Sequence, residues 1–162
     1  MCMKSLAASL IVAASVAGTV QAQTTEGREL ARLAFQSVDA NGDGYLSLTE
    51  EQEFGANVFV SMDYDDNAVI SWDEYKTWDF GFSNVAEDSD RGDRYNTALK
   101  ILFDLWDRND DQLLTAGEQQ RAMTADFFQA DEDRDGRLSE KEFLRHSIIN
   151  IAFRAALRTD ND

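Results

Sequence analysis

Apolar residues recur along this chain at helical intervals, and four short polar runs interrupt them. Tyr95, Leu99, Leu102 and Trp106 fall at i, i+4, i+7 and i+11, which is one face of a helix. Leu144, Ile148, Ile151 and Ala155 repeat those intervals near the end. Phe54, Val58 and Met62 line one side of the segment between the first two polar runs, and Phe127 and Ala130 sit similarly between the last two. Nothing alternates long enough to make a sheet, beyond short strand-like segments at the centres of the polar runs. No Pro occurs anywhere, so none interrupts a helix. The pattern predicts an all-α chain of helices joined by short loops.

The polar runs are copies of one another. They read DANGDGYLSLTE (39–50), DYDDNAVISWDE (63–74), DRNDDQLLTAGE (107–118) and DEDRDGRLSEKE (131–142). Each has twelve residues, opens on Asp and closes on Glu. The eighth place is aliphatic (Leu46, Ile70, Leu114, Leu138) and the ninth is Ser or Thr. Asp39 lies 24 residues before Asp63, and Asp107 lies 24 before Asp131; Asp39 to Asp107 and Asp63 to Asp131 are both 68. The chain is therefore two similar halves with two loops each. The expected organisation is a first half over 23–78, a connector over 79–96 and a second half over 97–162. The connector reading rests on Gly81, Ser83, Asn84, Ser89 and Gly92 among several acids, and Phe80, Phe82 and Val85 are expected to dock it onto one half.

Like charges crowded into a tight turn repel each other, so each run makes physical sense around a cation. Hard divalent cations take oxygen ligands, and calcium takes roughly six to eight of them. A twelve-residue loop supplies them from side chains at places one, three and five, a backbone carbonyl at seven, place nine and a closing Glu. The first loop offers Asp39, Asn41, Asp43, the Tyr45 carbonyl, Ser47 and Glu50. The second offers Asp63, Asp65, Asn67, the Val69 carbonyl, Ser71 and Glu74. The third offers Asp107, Asn109, Asp111, the Leu113 carbonyl, Thr115 and Glu118. The fourth offers Asp131, Asp133, Asp135, the Arg137 carbonyl, Ser139 and Glu142.

Loops one and four match D-x-[DN]-x-[DN]-G-x5-E in full. Four such loops in register between amphipathic segments resemble the EF-hand calcium-binding family, over nearly all of the chain after residue 22. The resemblance implies helix–loop–helix repeats with paired loops, Ca2+ as the bound ion and no catalytic chemistry. Ala68 and Gln112 replace the Gly of the sixth place, where the backbone bends sharply. Weaker binding is expected in loops two and three. The fourth loop ranks strongest, with four ligand carboxylates against three in each of the others.

Only twelve residues separate Glu50 from Asp63. As one helix they span roughly 18 Å and hold successive loops at opposite ends. Loops are then expected to pair between the halves. Gly55 is the residue that would break the first such helix, and its counterpart between Glu118 and Asp131 has no Gly or Pro.

The net charge of −16 argues against nucleic-acid and anionic-membrane partners. Lys4, the uncharged run 6–20 and the Val20-Gln21-Ala22 site form a bacterial-type secretory signal, with cleavage expected after Ala22 and a periplasmic or secreted location. Cys2 precedes the apolar run, so lipidation is not expected. Cleavage leaves 14 basic against 31 acidic residues, a net −17, with no cysteine and no membrane attachment. Stability must then come from the core or from metal. His146 is the single His and is read as a residue of the last helix, not a catalyst; Trp72, Trp78 and Trp106 are read as core. Met62 and Met123 are too few for a Met-rich target groove. Two functions stay open: a calcium buffer or calcium-stabilised binding protein, and a sensor that exposes an apolar surface to an unidentified protein partner.

Overall fold

A computed structural model describes residues 17–158. Residues 1–16 of the expected signal segment lie outside the described residues, and 17–22 begin the first helix. The chain is mostly helical, as the pattern predicts. In order it forms α1 (Ala17–Val38), β1 (Tyr45–Ser47), α2 (Leu48–Met62), β2 (Val69–Ser71) and α3 (Trp72–Thr77). Then come α4 (Ser83–Asp88), α5 (Gly92–Trp106), β3 (Leu113–Thr115), α6 (Ala116–Ala130), β4 (Arg137–Ser139), α7 (Glu140–His146) and α8 (Ile148–Leu157).

The strand-like segments at the loop centres make two antiparallel pairs, β1 with β4 and β2 with β3. Leu46 lies opposite Leu138, and Ile70 opposite Leu114. These four eighth-place residues are buried, and each pair seeds its own core. Around Leu46 and Leu138 gather Phe35, Val38, Phe127 and Ala130. Around Ile70 and Leu114 gather a larger set that includes Tyr75, Leu99, Phe103 and Phe153. Trp106 is buried in that set, and Trp72 and Trp78 pack against it.

The two-halves pattern of the sequence is thus not the pattern of strand pairing: each half gives one strand to each pair. The reason is helix length. α2 and α6 have fifteen residues each, about 22 Å of helix, which keeps consecutive loops apart. α2 leads from the first pair to the second and α6 leads back, so the two pack together in opposite directions.

Gly55 does not break α2. It faces Met123 of α6, and a Cβ there would overlap the Met123 Sδ. Its role is to leave room for the end of the Met123 side chain, which hydrophobic periodicity does not reveal. Gln52 Nε2 donates to Thr124 Oγ1 (3.2 Å) across the same contact. Glu51 is buried there too; burial, with a contribution from Asp126, pushes its carboxyl up to about 8.

Residues 79–96 contain α4 and the first turn of α5, and Phe82 packs on Phe153 at 5.0 Å between ring centroids. Two further expectations are corrected. Residues Leu144 to Ala155 do not share one helix face. The helix breaks at Ser147, whose extended backbone (φ −59°, ψ 130°) resets the phase. Asp126 Oδ1 then accepts from Ile148 N at 2.8 Å at the start of α8. Asn150, Phe153 and Ala156 are buried, whereas Ile151 is exposed. His146 closes α7, with Nε2 3.4 Å from Glu132 Oε2, and is not on the last helix.

Candidate metal centre

Each loop is organised by its first and last carboxylates. In loop one, Asp39 accepts from Gly42 N, Asp43 N and Gly44 N, at 2.8, 3.2 and 2.9 Å. Asp63, Asp107 and Asp131 likewise accept from the sixth-place amides of Ala68, Gln112 and Gly136, at 2.8, 2.8 and 3.0 Å. Fifth-place side chains accept from the seventh-place amide: Asp43 from Tyr45 (2.9 Å), Asn67 from Val69 (2.9 Å), Asp111 from Leu113 (3.0 Å) and Asp135 from Arg137 (3.1 Å). The amides turn the loop inward on a ring of oxygen atoms, and each seventh residue opens a strand.

The closing Glu does two jobs. Glu50 Oε2 accepts from Ser47 N and Oγ at 2.9 and 2.7 Å, while Oε1 accepts from Asn41 N at 3.2 Å. Glu74, Glu118 and Glu142 repeat this with Ser71, Thr115 and Ser139. Oε1 of the same three accepts from Tyr64 N, Arg108 N and Glu132 N. Ninth and twelfth places therefore also form a capping box that starts the next helix. The signal S/T-x-x-E was legible in the sequence, yet ligand spacing alone does not disclose it. The ninth-place hydroxyls are engaged with these carboxylates.

The hydrogen bonds also set the charge state. Bonds from the backbone and hydroxyl of the ninth residue hold the Glu50, Glu74 and Glu118 carboxyls below the usual range. For Glu142 burial is the largest single influence and pushes upward. The bonds from Ser139, Asp133 and Glu132 together outweigh it. Four carboxylates kept ionised at the ends of four loops suit a cation.

Carboxylate oxygens of Asp63, Asp65 and Glu74 lie within 4.8 Å of one another, as do those of Asp131, Asp133 and Glu142. Loops one and three have Asn41 and Asn109 at the third place, where loops two and four have Asp65 and Asp133. The donors are oxygen throughout, with no His or Cys ligand, and this fits a hard divalent cation such as calcium.

The sixth-place bend is the same in all four loops: Gly44 φ 83°, Ala68 φ 67°, Gln112 φ 65° and Gly136 φ 85°. The fourth place is left-handed as well, at Gly42, Asp66, Asp110 and Arg134. Gly and Asp tolerate that region, so the first three were a readable signal, while Arg134 was not. A side chain held left-handed costs roughly 1–2 kcal/mol. Gln112→Gly is therefore expected to raise the unfolding free energy by about 1 kcal/mol, with part of the gain offset by the freer unfolded chain. It should tighten calcium at the third loop by no more than about tenfold. Urea unfolding and a calcium titration check both; unchanged stability would mean the bend carries no strain.

No curated protein matches this chain. A family model described as EF hand matches residues 30–54 and 124–145, the segments that contain the first and fourth loops. With an all-oxygen donor set in each matched loop, these two matches support an EF-hand calcium-binding family and suggest that the chain binds calcium.

Proposed function

We propose that this is an exported protein that binds calcium at four loops, arranged as two facing pairs, and serves as a calcium buffer or a calcium-stabilised binding protein. The observation that supports it is the fourfold repetition of one geometry: an Asp that gathers the loop amides, and a Glu whose two oxygens are both held at the loop mouth. Loops two and three, which lie outside the matched segments, share that geometry with loops one and four. Residues 1–22 are proposed to direct export and to be removed. The mature protein would start at Gln23 in the periplasm or outside the cell. No catalytic activity is assigned to it, and its single His sits at a helix end.

Calorimetric titration of residues 23–162 with calcium tests the reading. Up to four ions per chain is the expected stoichiometry. Mass spectrometry of the exported chain should find Gln23 at its start. A chain that takes up no calcium in millimolar solution would sink the proposal.

A sensor role is the second reading, and exposed apolar side chains favour it. Ile101 and Leu105 stand 60% and 58% exposed one turn apart on α5, and Phe128 is 61% exposed on α6. A sensor should bind more of a hydrophobic dye when calcium is added, whereas a buffer should change little. Among the described residues, no helix is long and apolar enough to cross a membrane.

A further inference from the structure

Arg137 carries out two contacts that its place in the loop pattern does not call for. Its Nε donates to Asp135 Oδ2 at 2.9 Å, and its backbone N–H donates to Asp135 Oδ1 at 3.1 Å, so one residue engages both oxygens of a fifth-place ligand. Its guanidinium also lies over the ring of Tyr45, with Cζ 3.9 Å from the ring centroid. Tyr45 and Arg137 are the seventh-place residues of loops one and four, which meet through β1 and β4. The corresponding residues of the other pair, Val69 and Leu113, are apolar and form no such bridge.

We propose that the Arg137 side chain is a positioning residue that lowers the calcium affinity of the fourth loop, held in place by the Tyr45 ring of the first. The proposal rests on the calcium reading above. An ion approaching Asp135 meets a carboxylate already compensated by a guanidinium, and then feels that positive charge at close range. Ranking the fourth loop strongest by its four ligand carboxylates leaves this cation out. Over all twelve residues, loops one and four carry the same net charge of −3: three acids in the first, and six acids with three basic residues in the fourth. The ion pair itself is half-exposed, so it adds little to folding stability. Its effect is on the ion, through charge and the orientation of Asp135. The planar guanidinium suits both contacts, since it stacks on a ring face while its Nε–H donates in plane.

The test uses the mature chain and calcium alone, with the Gly136 amide resonance reporting loop four and the Gly44 amide reporting loop one. Arg137→Gln should tighten loop four about threefold to tenfold at low salt. The gain should shrink at high salt, where the charge is screened. Arg137→Lys keeps the charge and should return most of the wild-type affinity. With calcium chelated, the Tyr45 ring should shift the Arg137 side-chain proton resonances upfield, and Tyr45→Leu should abolish that shift. Equal or weaker binding in Arg137→Gln, a gain indifferent to salt, or Arg137→Lys behaving like Arg137→Gln would each overturn the inference. So would the absence of a ring shift. Failure of loop four to bind calcium in every chain would overturn the calcium reading and this inference with it, whereas binding of unchanged affinity would overturn the inference alone.

Discussion

Calcium should raise the unfolding free energy of residues 23–162 by about 2.7 kcal/mol for each site held at 100 times its Kd. With four sites filled the sum is on the order of 10 kcal/mol, comparable to the whole stability of an ordinary domain. The cause is electrostatic and local. Carboxylates crowd at each loop mouth, and the chain after residue 22 carries a net −17. A divalent ion on each loop would bring opposite charge to where the acids gather. Each kcal/mol moves the midpoint of a chain this size by roughly 2–4 °C, so chelator and millimolar calcium should give melting curves tens of degrees apart. Magnesium should do much less, because it prefers octahedral geometry and gives up its waters reluctantly. Superimposable curves in calcium and in chelator would remove calcium from the account of this fold.

Neither half of the sequence should fold by itself. Residues 23–78 contain β1 and β2, whose partners β4 and β3 lie in the other half. Cutting the chain leaves four strand edges unpaired and strips Leu46, Ile70, Leu114 and Leu138 of their opposite numbers. It also separates α2 from α6, exposing Gly55, Phe59 and Phe127 to water. Each large side chain returned to solvent costs about 1.5–3 kcal/mol, and several such losses exceed what a fragment of 56 or 84 residues can bear. Fragments 23–78 and 79–162 should each lack a cooperative thermal transition, and mixing them should restore one together with the helical circular dichroism of the whole chain. A sharp transition in either fragment alone would show that the loops of one half can pair with each other after all.

The parts of the site that were legible in the sequence are those governed by local spacing. Which oxygen-bearing side chain stands at places one, three, five and twelve depends only on which residue falls where in twelve. The helix faces of α5 and α6 were also readable, because Tyr95, Leu99, Leu102 and Trp106 on α5, and Phe127 and Ala130 on α6, keep helical spacing within an unbroken helix and all six are buried. The C-terminal face misled for the same reason. A single extended residue at Ser147 shifts the phase, and periodicity carries no notice of such a break. On α1, Ala31, Phe35 and Val38 form a buried stripe beside the first loop, although no motif marks it.

By itself the sequence determined that this chain has four acidic twelve-residue loops of one pattern, that helices flank them, and that successive loops stand too far apart to meet. Those properties follow from residue type and from the fixed rise of a helix per residue. Only the tertiary structure decided what the loops meet instead. Loop one faces loop four and loop two faces loop three, because α2 and α6 lie against each other where Gly55 leaves room for Met123. That packing sets Tyr45 of one loop beneath Arg137 of another, 92 positions later in the chain. No spacing rule reaches that far, since contacts between distant residues depend on which surfaces can be buried together.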